Sequence, residues 1–151
     1  MEQELRAYFF NNMYLSGIHA GIQAQHCTVE MFLKHSTPMG PRSNMLHEWA
    51  RNHKTTIVLN AGYADNLEEI ANMLRSDDNP YPWGYFCESS EALAGAITSV
   101  GVILPDRLFN YDRRIEELIV GCLKADECWG AVPSEYEMQL IKELAKYKLM
   151  N

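Results

Sequence analysis

Two polar residues on the first predicted helix are the best candidates for contact with a ligand. The segment Gly17 to His35 has apolar residues at helical spacing, and a rotation of ~100° per residue places Gln25 and Thr28 beside Ile22 and Val29. We therefore expect Gln25 to point inward, where an amide without a hydrogen-bond partner costs roughly 1 to 3 kcal/mol. Its partner is either the backbone of a neighbouring strand or a ligand, and the sequence leaves both open.

Further candidate residues lie in the turns and strands that follow. Asn60 and Gly62 lie between a predicted strand and a helix, where they could hold a phosphate or a ribose, unless this is a plain strand-to-helix turn. Trp83 lies in an aromatic strand, where it could stack on a base or belong to an ordinary core. We predict one ligand pocket formed by Gln25, Thr28, Asn60, Gly62, Trp83, Glu88, Ser90 and Thr98.

A second strip of the same helix carries His19, Gln23, His26 and Glu30, at positions i, i+4, i+7 and i+11. Such a row could bind a metal ion or transfer protons. A surface helix needs a polar face in any case, and we favour that explanation. The four cysteines lack metal-binding spacing, so we expect reduced thiols and predict no metal and no cofactor.

The charge and the apolar content of the chain exclude some classes of partner. The net charge is -7 and the pI is near 5.2. Proteins that grip a phosphate backbone usually present a basic face, so we expect no extended nucleic acid as partner, whereas a small anionic ligand is compatible with this charge. No apolar run approaches the ~20 residues of a membrane span, and no signal segment is evident. We therefore predict a cytoplasmic protein without a membrane partner.

The elements that position these residues alternate between strand and helix, in the order β-α-α-β-α-β-β-α-α. This order predicts a single α/β domain over residues 1–151, with a four-stranded mixed sheet flanked by helices. The run Thr55 to Leu59 is typical of a strand buried on both faces. Asp65 with Glu68, and Ser134 with Glu137, match the capping box at a helix start. Strands are predicted at Arg6–Tyr14, Thr55–Leu59, Trp83–Glu88 and Ala96–Leu104, and helices at Gly17–His35, Ser43–Asn52, Asp65–Leu74, Asp112–Leu123 and Ser134–Leu149.

Two stretches of the chain, Gly21–Thr28 and Gly95–Pro105, resemble the class II (archaeal and eukaryotic-type) peptidyl-tRNA hydrolases. The first resembles the family's helix motif, through its Ala24-Gln25 pair, and the second resembles the final strand that ends before a proline. The resemblance implies the hydrolase-like fold for the predicted sheet, with two extra C-terminal helices. In that family, catalysis depends on a lysine one turn before the motif glutamine, and this chain has Gly21 at that position.

The family's third-strand aspartate falls near Phe86 or Cys87, and Glu88 is the nearest carboxylate. If the chain hydrolyses peptidyl-tRNA, the resemblance implies catalytic roles for His19, Gln25 and Glu88. The chain is also similar to small uncharacterised bacteriophage proteins. That similarity lies in the segments Asn52–Thr55 and Asn79–Trp83.

These features predict a protein that binds a small nucleotide-derived ligand on a peptidyl-tRNA hydrolase-like scaffold. In a phage-encoded protein, acting in the host cytoplasm, the expected purpose is immune evasion by sequestering a signal such as a cyclic oligonucleotide or an ADP-ribose derivative. The alternatives are an active peptidyl-tRNA hydrolase and a protein–protein interaction module. We also expect a homodimer or a higher homo-oligomer.

Overall fold

The computed structural model describes residues 4–36, 40–89, 95–109 and 133–150 of the chain. The chain divides into two compact units, of which the larger comprises Leu5–Leu104 with Tyr147–Asn151 and the smaller comprises Met1–Glu4 with Pro105–Lys146. The prediction of one domain over residues 1–151 stays a prediction.

The described elements of the larger unit alternate between strand and helix, as expected. The helix α2 continues into one wider helical turn, Trp49–His53. The elements are β1 (Leu5–Asn11), α1 (Ile18–His35), α2 (Pro41–Glu48), β2 (Thr56–Asn60), α3 (Ala64–Leu74), β3 (Trp83–Cys87), β4 (Ile97–Pro105) and, after the helix of the smaller unit, β5 (Lys148–Leu149).

The strands form one mixed sheet in the order β3-β4-β1-β2-β5. Strands β1 and β2 are parallel, whereas β3 with β4 and β2 with β5 are antiparallel. The Asn12 N–H donates to the Thr98 carbonyl, and a Cβ at Gly101 would lie 2.8 Å from the Phe9 ring, so β4 runs antiparallel to β1. Strands β1, β2 and β3 therefore point the same way, and their carboxyl ends meet at one edge of the sheet.

The sequence predicted a mixed sheet correctly but gave it four strands, and that count is wrong. The predicted helix Ser134–Leu149 ends at Ala145, and Lys148–Leu149 instead forms a fifth strand, in which Leu149 pairs with Leu59 of β2. A two-residue strand carries no alternating pattern that could separate it from the end of a helix.

The smaller unit contains a short 3₁₀ turn, Asp106–Leu108, and the helix α4 (Glu135–Ala145). The predicted capping box is confirmed, because the Glu137 N–H donates to Ser134 Oγ at 3.1 Å and the Ser134 N–H donates to the Glu137 carboxylate. Glu137 also accepts a 2.6 Å ion-paired hydrogen bond from Arg107. The predicted helix Asp112–Leu123 lies outside the described residues.

The helix α1 packs on the sheet with its small and sulfur-containing residues, not with its branched apolar residues. Cys27 and Met31 lie where Gly84 and Gly101 leave space, since a Cβ at Gly84 would lie 2.8 Å from Met31 Cγ. The prediction that Ile22 and its neighbours face the core is therefore wrong. Close approach between glycines in the sheet and small side chains on the helix decides which face is buried, and helical periodicity alone does not reveal it.

Strand β2 is less buried than its apolar sequence predicted. Thr56 is exposed, Ile57 and Val58 are half-buried, and only Leu59 is fully buried. The neighbour of β2 on its outer side is the two-residue strand β5, so β2 lies close to the border of the sheet. The prediction of burial on both faces is wrong.

None of the helices in the described ranges combines the length and the apolar character that crossing a membrane requires.

Candidate functional site

Two buried asparagines fix the chain where β1 ends. Asn11 donates from Nδ2 to the Ala20 carbonyl at 2.9 Å and accepts from the Ser99 hydroxyl at 2.7 Å. Asn12 donates from Nδ2 to the Ile97 carbonyl at 3.3 Å, and its side-chain oxygen accepts from the Tyr14 N–H at 3.1 Å. These bonds tie the end of β1 to α1 and to the start of β4.

The turn after β2 is held against the turn after β1 by backbone hydrogen bonds. The Ala61 N–H donates to the Asn11 carbonyl at 2.9 Å, and the Met13 N–H donates to the Gly62 carbonyl at 2.8 Å. Gly62 has a φ of 81°, which a residue with a Cβ rarely adopts. Asn60 is exposed, and its side chain accepts from the Gly62 N–H at 3.3 Å.

Helix α3 begins directly after this turn without a side-chain cap. Tyr63 is its N-cap residue, and no side chain accepts from the first N–H groups of the helix. The predicted capping box of Asp65 and Glu68 is therefore wrong, because the helix begins at Ala64 and Asp65 lies inside its first turn. The Asn66 N–H donates to the Tyr63 carbonyl at 3.0 Å, so by helix geometry only the N–H groups of Ala64 and Asp65 lack a partner within the helix and point out of its start as donors.

A pocket of about 360 Å³ opens at this edge of the sheet, and we call it the edge pocket. Tyr14 and Tyr63 are 80% and 54% exposed, and their ring centroids lie 5.3 Å apart at an interplanar angle of 56°. Asn12 and Thr98 are buried and line its inner part. Among the described residues, the lining consists of Asn12, Tyr14, Leu15, Tyr63, Ala64, Asp65, Ala96 and Thr98.

A hydrogen-bonded cluster of Gln23, Glu88 and Thr98 lies next to the edge pocket and shares Thr98 with it. Gln23 is buried, and its amide donates to the Glu88 carboxylate at 2.9 Å. The Thr98 hydroxyl donates to the Gln23 side-chain oxygen at 2.7 Å and lies 3.4 Å from the Phe86 carbonyl. Thr98 is the extra residue where the register of β3 and β4 shifts, which leaves the Phe86 carbonyl accessible to the hydroxyl.

Glu88 is held in its ionised form. The Ser89 N–H donates to the Glu88 carboxylate at 3.0 Å, and together with the Gln23 amide and the nearby His26 it lowers the pKa of Glu88. The cluster therefore presents a carboxylate that can accept hydrogen bonds, and it presents no proton to donate at neutral pH. Among the described residues no group of three or more His, Cys, Asp and Glu side chains could hold a metal ion.

The aromatic strand β3 carries a second concavity, of about 290 Å³, beside α1. Lys34 Nζ lies 3.3 Å from the centroid of the Trp83 ring, and Trp83 is only 3% exposed. Burial, with Arg42 and Arg75 nearby, lowers the pKa of Lys34 to about 8. Trp83 is therefore part of the core and lies beneath Lys34. The sequence left open whether Trp83 stacks on a base or belongs to the core, and the structure supports the core.

The structure brings together some of the predicted site residues and separates others. Glu88 and Thr98 meet through Gln23, whereas Gln25 is exposed and the prediction that it points inward is wrong. The Thr28 hydroxyl bonds within its own helix, to the Ala24 carbonyl at 2.9 Å. Asn60 and Gly62 shape the turn at the edge pocket but do not line it. His19 is exposed on the first turn of α1, and Ser90 lies outside the described residues.

The sequence does not predict several residues of the edge pocket and of the cluster beside it. It places the pocket residues Tyr14 and Asp65 in the first strand and in a helix cap, and it places Gln23 of the cluster on the polar surface of α1. The adjacent polar pair Asn11-Asn12 at the end of an aromatic strand was the available signal. Two buried amides in a row need several partners, and those partners lie on α1, on β4 and in the turn after β1.

Models of known protein families give no match to this chain, and a comparison with curated protein sequences gives none either.

Proposed function

We propose that this protein binds a small nucleotide-derived ligand in the edge pocket, on a scaffold of the class II peptidyl-tRNA hydrolase type. The observation that carries the proposal is the exposed pair Tyr14 and Tyr63 above a pocket at the shared carboxyl ends of parallel strands. In open α/β sheets, ligands bind at this position, beside the first turn of a helix. A volume of about 360 Å³ is within the range of small-molecule pockets, ~300 to 1,000 Å³.

The lining of the edge pocket fits the nucleoside part of such a ligand. Aromatic rings stack on bases, and each stacked base contributes ~1 to 3 kcal/mol. The Asp65 carboxylate can accept hydrogen bonds from ribose hydroxyls, as acidic residues do in other α/β nucleotide sites. None of the described residues that line the pocket is lysine or arginine, so we assign the base and ribose to the pocket and the phosphates to its opening.

Sequestration, and not turnover, is the proposed activity. Gly21 replaces the family's lysine, and Glu88 is already an ionised acceptor bonded to Gln23. A phage protein of this kind, acting in the host cytoplasm, would withdraw a nucleotide immune signal such as a cyclic oligonucleotide or an ADP-ribose derivative. Binding without cleavage needs only the stacking pair and the hydrogen-bonding groups of the pocket.

The test is calorimetric titration with adenosine, ADP-ribose and cyclic dinucleotides. Tyr14→Ala and Tyr63→Ala should each weaken binding by roughly 5- to 150-fold, which corresponds to the loss of ~1 to 3 kcal/mol of stacking. Tyr63→Phe should keep the affinity, because it keeps the ring. Tyr85→Ala removes another exposed tyrosine that does not line the edge pocket, so it serves as the matched control. Equal losses in Tyr63→Ala and Tyr85→Ala would contradict the proposal.

A second measurement identifies the ligand in cells. The purified protein is denatured, and the released small molecules are compared by mass spectrometry between cells with and without an activated nucleotide-signalling defence. We expect a nucleotide-derived compound that is absent from the Tyr14→Ala protein prepared in the same way. Recovery of the same compound from both proteins would show that it is not held by the edge pocket.

Peptidyl-tRNA hydrolysis is the alternative that one observation favours. Glu88 is ionised and oriented by Gln23, as a group that positions water would be. If it serves hydrolysis, Glu88→Gln should lower turnover of peptidyl-tRNA by about 10²-fold or more. We expect the wild-type protein to show no turnover above the uncatalysed background, and measurable turnover that Glu88→Gln abolishes would replace binding with catalysis.

A further inference from the structure

An apolar stripe runs along the solvent side of α1, opposite the face that packs on the sheet. We call Ile18, Ile22, Gln25, Val29 and Leu33 the outer stripe. Its four apolar members are 76%, 36%, 49% and 67% exposed, in chain order. Spacings of four, three, four and four residues keep the stripe on one side of the helix. Exposed apolar residues in a continuous row, and not scattered singly, mark a surface that contacts another protein.

Gly21 lies on the border of the outer stripe, and a glycine at this position indicates that a second helix packs closely against α1. An added Cβ at Gly21 would meet no atom within 4 Å, so nothing in the described part of the chain requires a glycine there. Glycine in an exposed helix interior is less favourable than alanine. A neighbouring helix that packs against this position would give the missing reason, since glycine allows two backbones to come near.

The charge of the outer stripe favours a second copy of the chain as the occupant. Each copy has a net charge of -7, so two copies repel each other overall, and the outer stripe contains no charged residue that would add to this repulsion. Gln25 is the single polar member, and an amide both donates and accepts, so it can pair with the same amide of another copy. A lone amide at a core position of paired helices fixes their register in this way.

We propose that α1 forms a homodimer interface in which two copies of the outer stripe pack antiparallel around a two-fold axis at Gln25. In this arrangement Gly21 lies beside Val29 of the second copy, which fills the space left by the missing side chain. The flank of the stripe brings Glu30 near His19 of the second copy, a pair of complementary charge when the imidazole is protonated. Antiparallel pairing also places opposite ends of the two helix dipoles together.

The proposed interface is narrow, and its size sets the expected affinity. A helix of 18 residues is about 27 Å long, so one helix pair covers less than the ~1,200 to 2,000 Å² of a standard interface. We therefore expect a dimer that dissociates in the micromolar range. The interface is separate from the residues that line the edge pocket, so this inference does not depend on the proposed function.

Sedimentation of the full chain over a range of concentrations tests the interface. Gln25→Glu places two carboxylates at the axis and should raise the dimer dissociation constant by about tenfold or more, because like charges are juxtaposed. Gln25 is exposed, so the monomer should melt at the wild-type temperature. Asn72→Glu adds the same charge on the exposed face of α3, outside α1 and its flank, and should leave the dimer in place. A wild-type chain that stays monomeric up to hundreds of micromolar, or equal effects of both variants, would overturn the proposal.

Gly21→Ala separates the interface from the stability of the monomer. The added methyl group has open space in the single chain, so the monomer should melt about 2 to 4 °C higher through helix propensity alone. The same methyl group should weaken dimerisation. An unchanged or stronger dimer would refute close approach at Gly21.

Oxidative cross-linking fixes the direction of the two helices. Gln25→Cys should form a disulfide dimer, whereas Ile18→Cys alone should not, because the axis at Gln25 sets the two copies of residue 18 far apart. Efficient cross-linking through Ile18→Cys would show parallel pairing. Failure of Gln25→Cys to cross-link above the level of the wild-type cysteines would refute a two-fold axis at Gln25.

Discussion

Gln23 and Gln25 are both on α1, and we expect their substitution to have different effects on the stability of the fold. Gln23 is buried, donates to Glu88 and accepts from Thr98, whereas Gln25 is exposed. Replacing each by leucine keeps the volume of the side chain roughly constant and removes only its hydrogen-bonding capacity. The comparison therefore isolates the hydrogen bonds of the buried amide.

The expected cost of Gln23→Leu follows from the group that it leaves without its main partner. Thr98 is fully buried, and a buried hydroxyl left unsatisfied costs ~1 to 3 kcal/mol. The Thr98 hydroxyl retains a 3.4 Å contact with the Phe86 carbonyl, so we expect the lower part of that range, about 1 to 2 kcal/mol. This corresponds to a fall of roughly 2 to 8 °C in melting temperature. For Gln25→Leu we expect a change within about 0.5 kcal/mol, as for other surface substitutions.

The pH dependence of the same variant tests the link to Glu88. The pKa of Glu88 is lower in the folded protein, so its contribution to stability is present above the unfolded pKa and is lost as the pH falls through the folded pKa. Gln23→Leu removes one cause of this shift and leaves the larger one, the Ser89 N–H. The deficit of Gln23→Leu should therefore be largest at neutral pH and should shrink on acidification. Urea denaturation of the wild type and both variants from pH 7 to pH 3 measures these stability deficits. Equal deficits for Gln23→Leu and Gln25→Leu would refute the orientation of α1.

Three further substitutions test the packing around α1. Gly101→Ala should destabilise the fold by about 1 to 3 kcal/mol in urea titration, because its Cβ would lie 2.8 Å from the Phe9 ring. His35 accepts a hydrogen bond from the backbone of β3, and burial lowers its pKa. Wild-type stability should therefore fall as the pH drops below the unfolded histidine pKa. His35→Gln should reduce this dependence of stability on pH. Thr98→Val should restore much of the stability lost in Gln23→Leu, since removing both partners of a buried hydrogen bond is nearly neutral, and additive losses would contradict the Gln23–Thr98 bond.

The sequence predicted the layout of the fold well because its strands and long helices carry strong periodic signals. The four predicted strands all exist, and their bounds differ from the observed ones by a few residues. The capping box at Ser134 was readable because its residue types and spacing specify a local hydrogen-bond pattern. The strand Lys148–Leu149 was not readable, since two residues that pair with β2 are specified by a partner far away in the chain.

The orientation of α1 could not be predicted from its periodicity because the helix has two apolar faces. The more hydrophobic face, with Ile22 and Val29, is exposed, and the less hydrophobic face, with Ala24, Cys27 and Met31, is buried. The sheet decides between them through its glycines, which lie tens of residues away in the sequence. Because the wrong face of α1 was predicted to be buried, the predicted pocket included Gln25 and omitted Gln23.

The exposed apolar row on α1 requires an explanation of its own. A helix that must bury only one face needs no second row of branched apolar residues, and exposing them lowers solubility. Gln25 on that row and Gly21 at its border have no structural task within the described chain, because Gln25 is exposed and a Cβ added at Gly21 would meet no atom within 4 Å. An antiparallel helix partner gives both residues a task at once, close approach for the glycine and amide pairing for the glutamine. The two proposals then assign separate sets of residues, the outer stripe to self-association and the edge pocket to a ligand.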